Sequence, residues 1–99
     1  MIVNRRTFIV KRGRLEDARA LTMSLREFEQ IRKLSAYRFY LPNIGAFDQI
    51  AMEAEFENLE EYEAWWNEWA SSPEAAAFFE KWFDLTETGG VNEIWTLSE

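Results

Sequence analysis

Residues Phe47–Trp66 read FDQIAMEAEFENLEEYEAWW, and two periods meet inside that stretch. From Phe47 to Glu57 apolar and polar residues alternate, with Ile50, Met52, Ala54 and Phe56 on one side and Gln49, Ala51, Glu53 and Glu55 on the other, the period of a half-buried strand. Asn58, with Glu61 three residues on, then has the spacing of a capping box. It predicts a helix whose Leu59, Tyr62, Trp65, Trp66 and Trp69 lie on or near one stripe. A strand with one apolar face running into an amphipathic helix calls for helices on one side of a sheet.

Downstream, Ser72-Pro73-Glu74 predicts a second helical piece, because Ser caps, Pro suits the first helical position and Glu complements the dipole. Its expected stripe is Ala75, Phe79, Trp82 and Phe83, with Phe78 beside it. Thr88-Gly89-Gly90 ends the piece. Val91 to Leu97 then reads as a strand with Val91, Glu93, Trp95 and Leu97 opposite Asn92, Ile94 and Thr96.

Upstream, Tyr37 to Leu41 is a short aromatic strand broken at Leu41-Pro42, and Asn43-Ile44-Gly45 completes a turn. Leu15 to Leu34 predicts a helix on Leu15, Ala18, Leu21, Leu25, Phe28 and Ile31, with Glu29 and Lys33 as a supporting pair on its wet side. Ile2 to Lys11 reads as the first strand, Ile2, Asn4, Arg6, Phe8 and Val10 sharing one face and Val3, Arg5, Thr7 and Ile9 the other. The order strand, helix, strand, strand, split helix, strand is that of an α+β, ferredoxin-like split β-α-β fold with a four-stranded antiparallel sheet. At 99 residues and 47% hydrophobic content the chain can build one core, so residues 1–99 are expected to be a single domain.

Composition excludes several chemistries. A formal net charge of -7 repels phosphate backbones and anionic headgroups, so neither nucleic acid nor a membrane surface is an expected partner. There is no cysteine and no histidine, which removes disulfides, thiolate nucleophiles, Ser-His-Asp and Cys-His catalysis, and His-ligated zinc or haem iron. Met1 to Lys11 contains no apolar run long enough for a signal peptide, and a cytoplasmic, unprocessed protein is the expectation. The acidic run Glu53, Glu55, Glu57, Glu60, Glu61 and Glu63 reads as solvated faces rather than a metal site. Neither a metal nor a cofactor is expected.

Helices on one face leave the other sheet face to water or to a partner. That face mixes Val3 and Ile9 with Arg5, Glu53 and Glu55. Two copies packed sheet to sheet, with Arg5 neutralised by Glu53 or Glu55 of the neighbouring strand, would suit the mixture.

Arg6-Thr7-Phe8 leading to Lys11-Arg12-Gly13, Asn43-Ile44-Gly45, Phe56-Glu57-Asn58-Leu59-Glu60-Glu61-Tyr62 and Ser72-Pro73-Glu74 together resemble the NIPSNAP-like domains of the dimeric α/β barrel superfamily, to which the antibiotic biosynthesis monooxygenase-like proteins belong. Arg12 stands where that family often has Pro in a Lys-Pro-Gly turn. The resemblance implies two ferredoxin-like protomers paired into a barrel, forming a homodimer through the sheet face, with a cavity between helices and sheet in each. Members of the superfamily include cofactor-independent monooxygenases, haem-degrading monooxygenases and isomerases, so fold fixes little about function. In the haem-degrading members an Asn near Asn4 and a Trp near Trp65 help form the site. Their axial His would fall near Phe79, which cannot ligate iron.

Two functional readings follow. Aromatics at helical spacing are usually core, but Tyr62, Trp65, Trp66, Trp69, Phe79, Trp82 and Phe83 are many for so small a core, and part of the set is expected to line a pocket for a small hydrophobic or aromatic molecule. Asn4 and Arg6 would supply its polar groups or pair with Glu93 or backbone. The candidate ligand-binding residues are Asn4, Arg6, Tyr40, Trp65, Trp66, Trp69 and Phe79. The alternative is a cofactor-independent monooxygenase or isomerase acting on an aromatic or polyketide-like substrate, with Asn4, Arg6 or Tyr40 polarising an oxygen. No nucleophile beside a base is legible, so whether the protein is an enzyme stays open.

Overall fold

A computed structural model of the protein describes residues 1–98. It contains β1 (Ile2–Ile9), α1 (Leu15–Arg32), β2 (Arg38–Tyr40), β3 (Gln49–Phe56), α2 (Leu59–Ala70), α3 (Pro73–Leu85) and β4 (Val91–Thr96). The strands form one antiparallel sheet in the order β2-β3-β1-β4, the ferredoxin-like arrangement.

The alternation in β3 sets the layers. Ile50, Met52, Ala54 and Phe56 are all buried under the helices, and register pairs them with Phe8, Arg6, Asn4 and Ile2 of β1. The inward set of β4 is Asn92, Ile94 and Thr96, since these pair with Arg6, Asn4 and Ile2. On the outer face Arg5 bonds Glu53 at 2.9 Å, as cross-strand neighbours of opposite charge should, and Arg38 stands 3.8 Å from both Glu53 and Glu55.

Both expected caps close. Asn58 Oδ1 accepts the Glu61 N–H at 2.9 Å, and the Glu61 carboxylate accepts the N–H of Glu57, one residue before the cap, in place of the Asn58 N–H of a strict capping box. Ser72 Oγ accepts the Ala75 N–H at 3.1 Å, with Pro73 opening α3.

Several expectations need correction. Ile31 is 69% exposed, and the buried stripe of α1 runs Ala18, Thr22, Leu25, Phe28 and Glu29. Three residues beyond Phe28, but six beyond Leu25, Ile31 has turned off the core stripe. Glu29 lies four beyond Leu25 and is carried inward, so it is buried rather than paired with Lys33 on a wet face. Lys33 itself, at φ 55, ends the helix before Leu34. In α3 the buried positions are Ala75, Phe78, Trp82 and Leu85. Phe78 is thus central, while Phe79 is half-buried and Phe83 is 69% exposed. The second strand omits Tyr37, which is buried, and Phe47 precedes β3 rather than opening it.

The core between the layers is largely aromatic. Trp65 lies edge-on to Tyr37 at 5.0 Å between ring centroids, and Phe28 edge-on to Trp69 at 4.7 Å. Such pairs contribute about 1 kcal/mol each beyond their burial.

Candidate functional site

The inward face of β1 carries two polar residues into an apolar layer, where each needs a partner. Asn4 is wholly buried and fully used. Its amide donates to Asn92 Oδ1 at 2.8 Å and to the Glu93 carbonyl at 2.9 Å, while its Oδ1 accepts from the Tyr37 hydroxyl and, at 3.4 Å, from Arg6 Nε. The Tyr37 oxygen in turn accepts the Trp66 indole N–H at 3.0 Å. Burial pushes the Tyr37 hydroxyl far above its ordinary pKa, so it stays protonated and keeps donating. The result is a fixed polar chain from β4 through β1 to α2.

Arg6 stands at the edge of that chain. Its Nη2 donates to the Tyr62 hydroxyl at 2.9 Å, and its Cζ lies 3.7 Å from the centroid of the Trp66 ring, a close stacking contact. Beyond it opens a cavity of about 470 Å³ between α3, α2 and the sheet, within the range typical of small-molecule sites. Its walls are mainly apolar: Phe8, Phe39 and Met52 from the sheet, Leu25 from α1, Trp66 and Trp69 from α2, and Phe78, Phe79 and Trp82 from α3. Phe83, stacked on Phe79 at 5.4 Å, and Thr86 to Gly89 complete the lining.

Of the residues picked out from sequence, the structure brings Arg6, Trp66, Trp69 and Phe79 together around this cavity. Asn4 lies behind Arg6 and does not line it. Trp65 is core: it is 1% exposed and its indole N–H is spent on the Ser35 carbonyl at 2.9 Å. Tyr40 lies on the opposite sheet face, 42% exposed, in a shallow depression with Arg5, Thr7 and Leu41, and cannot polarise anything held in the cavity. Sequence reasoning missed Tyr37 and Phe39. Tyr37, read as the first strand residue, instead precedes β2 and packs into the core, whereas Phe39, adjacent to Tyr40, projects to the other face by the period of two.

Among the described residues no three acidic side chains gather as ligands to a metal would, and the acidic run is dispersed along β3 and α2. No helix is long and apolar enough to cross a membrane.

No protein-family model matches the chain, and no curated protein is significantly similar to it in sequence. Solved structures do share its fold. An uncharacterized NIPSNAP domain protein from Burkholderia xenovorans superimposes with a TM-score of 0.81 at 13% identity, over 99% of this chain and 95% of that one. A NIPSNAP family protein from Agrobacterium tumefaciens gives 0.83 at 17% identity, over 99% and 93%. An antibiotic biosynthesis monooxygenase gives 0.77 at 10% identity over the whole of both chains. The resemblance drawn from short motifs and the likeness in fold thus point to the same groups of proteins.

Proposed function

We propose that this protein binds a small hydrophobic or aromatic molecule between its helices and sheet, as a homodimer paired through the outer sheet face. The observation that carries the reading is the aromatic cavity of about 470 Å³ with the Arg6 guanidinium set in its wall. A planar ligand there would stack on Phe79 or Trp69 and bury most of its surface. Because Trp66 and Trp69 line the cavity, a quinone or polyaromatic compound entering it should quench indole fluorescence saturably. Linear quenching by every member of a small panel would remove the reading.

A second reading is a cofactor-independent monooxygenase or isomerase. It is favoured by the fold shared with an antibiotic biosynthesis monooxygenase and by the same guanidinium, which would stabilise negative charge developing on a substrate oxygen. Oxygen uptake with phenolic polycyclic substrates, lost in Arg6→Gln, would support it. Saturable binding without turnover across the panel would favour the binding role.

A further inference from the structure

We infer that the cavity selects an aromatic acid, a flat ligand carrying one carboxylate, with Arg6 as its charge partner. The inference rests on the ligand-binding reading above and adds the chemical class.

The chain has 18 acidic residues against 11 basic ones, so carboxylates are in excess. Arg5, Arg12, Arg14, Arg19, Arg32 and Arg38 each stand within 4 Å of at least one. Of the eight arginines only Arg26, exposed on α1, and Arg6 have no carboxylate that close among the described residues. Arg6 is half-buried against an apolar wall, where a cation without a counter-ion is costly. The other charged residue on the lining, Glu87, is exposed and more than 4 Å away. Arg6 is therefore a placed positive charge whose pairing is left to something else.

Its geometry is set for an anion. Tyr62 holds Nη2, Asn4 accepts from Nε and the Trp66 ring backs the guanidinium plane, so the group is oriented while Nη1 finds no acceptor among the described residues. A carboxylate takes charge-assisted, often bidentate hydrogen bonds from such a fork, and these strengthen where water is partly excluded. The aromatic lining demands that the rest of the ligand be flat and apolar.

The test compares 2-naphthoate with 2-naphthamide, which share shape and differ in charge, by indole quenching and calorimetry on the intact chain. The wild type should bind the naphthoate at least tenfold more tightly. Arg6→Gln should lose that preference, and Arg6→Lys should keep part of it. Equal wild-type affinity for acid and amide would overturn the charge inference and leave the cavity reading standing. So would a preference that survives in Arg6→Gln. If neither compound binds the wild type, the inference falls together with the reading beneath it.

Discussion

The carboxyl of Glu29 reaches from the last turn of α1 to the backbone N–H of Tyr37, which it accepts on Oε2 at 2.8 Å, while Oε1 has no hydrogen-bond partner among the described residues. The group is 1% exposed. Burial penalises its charged form more than the Tyr37 N–H and the distant charge of Arg26 favour it, and its pKa is pushed up to about 7. Glu29 therefore fixes the entry to β2 and positions Tyr37, whose hydroxyl ties β1 to Trp66 at the cavity wall.

A pH dependence follows. With its pKa near 7 folded and near 4.5 unfolded, Glu29 binds more protons in the folded chain across that interval, so stability should fall as pH rises from about 5 to 7.5 and level off above. The full loss is of order 3 kcal/mol. No histidine is present to titrate in the same window. Urea unfolding at a series of pH values should show the decline in wild type, and Glu29→Gln, which cannot ionise, should flatten it. An equal decline in both proteins would place its origin elsewhere.

The cap of α2 gives a local test. Asn58→Ala removes the acceptor of the Glu61 N–H and should cost about 1 kcal/mol. Asn58→Asp or Asn58→Ser should restore most of the loss. An unchanged urea midpoint in Asn58→Ala would mean that this bond contributes nothing to stability.

Those caps were legible because capping is local chemistry, one side chain meeting a backbone N–H three residues on. Strand faces were legible in β3 and β1 for the same reason, since alternation over eight residues leaves little choice of register. Three features were not. In α3 the pairs Phe78-Phe79 and Trp82-Phe83 offer two stripes of equal spacing one residue apart, and only packing against Trp69 and Phe8 selects Phe78 and Trp82. In β2, three residues long, nothing in the sequence decided between Phe39 and Tyr40 for the cavity side. Glu29 reads as a surface charge in any sequence pattern, and its burial depends on the Tyr37 N–H, supplied by a residue outside the helix. Of the site, the sequence yielded the aromatic wall and Arg6; the polar chain behind them required the sheet register.

The turn into β4 predicts a contrast between two glycines. Gly90 has φ 86, and a Cβ there would lie 2.3 Å from the Thr7 carbonyl oxygen, which belongs to the backbone of β1 and cannot yield without disturbing the sheet. Gly13 has φ 82 but open space around its missing Cβ. Gly90→Ala should cost about 3 kcal/mol, combining conformational strain with the clash, while Gly13→Ala should cost about 1 kcal/mol from strain alone. Thermal or urea unfolding of the two variants side by side would test the ordering, and equal losses would contradict the close approach at Gly90.

Two copies of the chain should pair through the outer sheet face. That face presents Val91, 54% exposed, and Trp95, 59% exposed, beside Val3, while Arg5 pairs with Glu53 and Arg38 with Glu53 and Glu55, and Glu93 of β4 has no cation within 4 Å among the described residues. A face most of whose ions are internally paired loses less on desolvation than one with isolated charges, and its exposed aromatic and β-branched residues gain by burial. Light scattering at micromolar concentration should therefore give twice the chain mass of 11.8 kDa. Val3→Glu would set a new carboxylate between Glu55 and Trp95, its two cross-strand neighbours, and should shift the protein toward monomer because pairing would bury that unpaired charge. The substitution points away from the core and the cavity, and because Glu55 lies directly opposite in the same sheet, urea unfolding of the variant should accompany the scattering to separate loss of pairing from loss of fold. A wild type that scatters as a monomer at every concentration tested would leave the outer face to water and end the barrel reading.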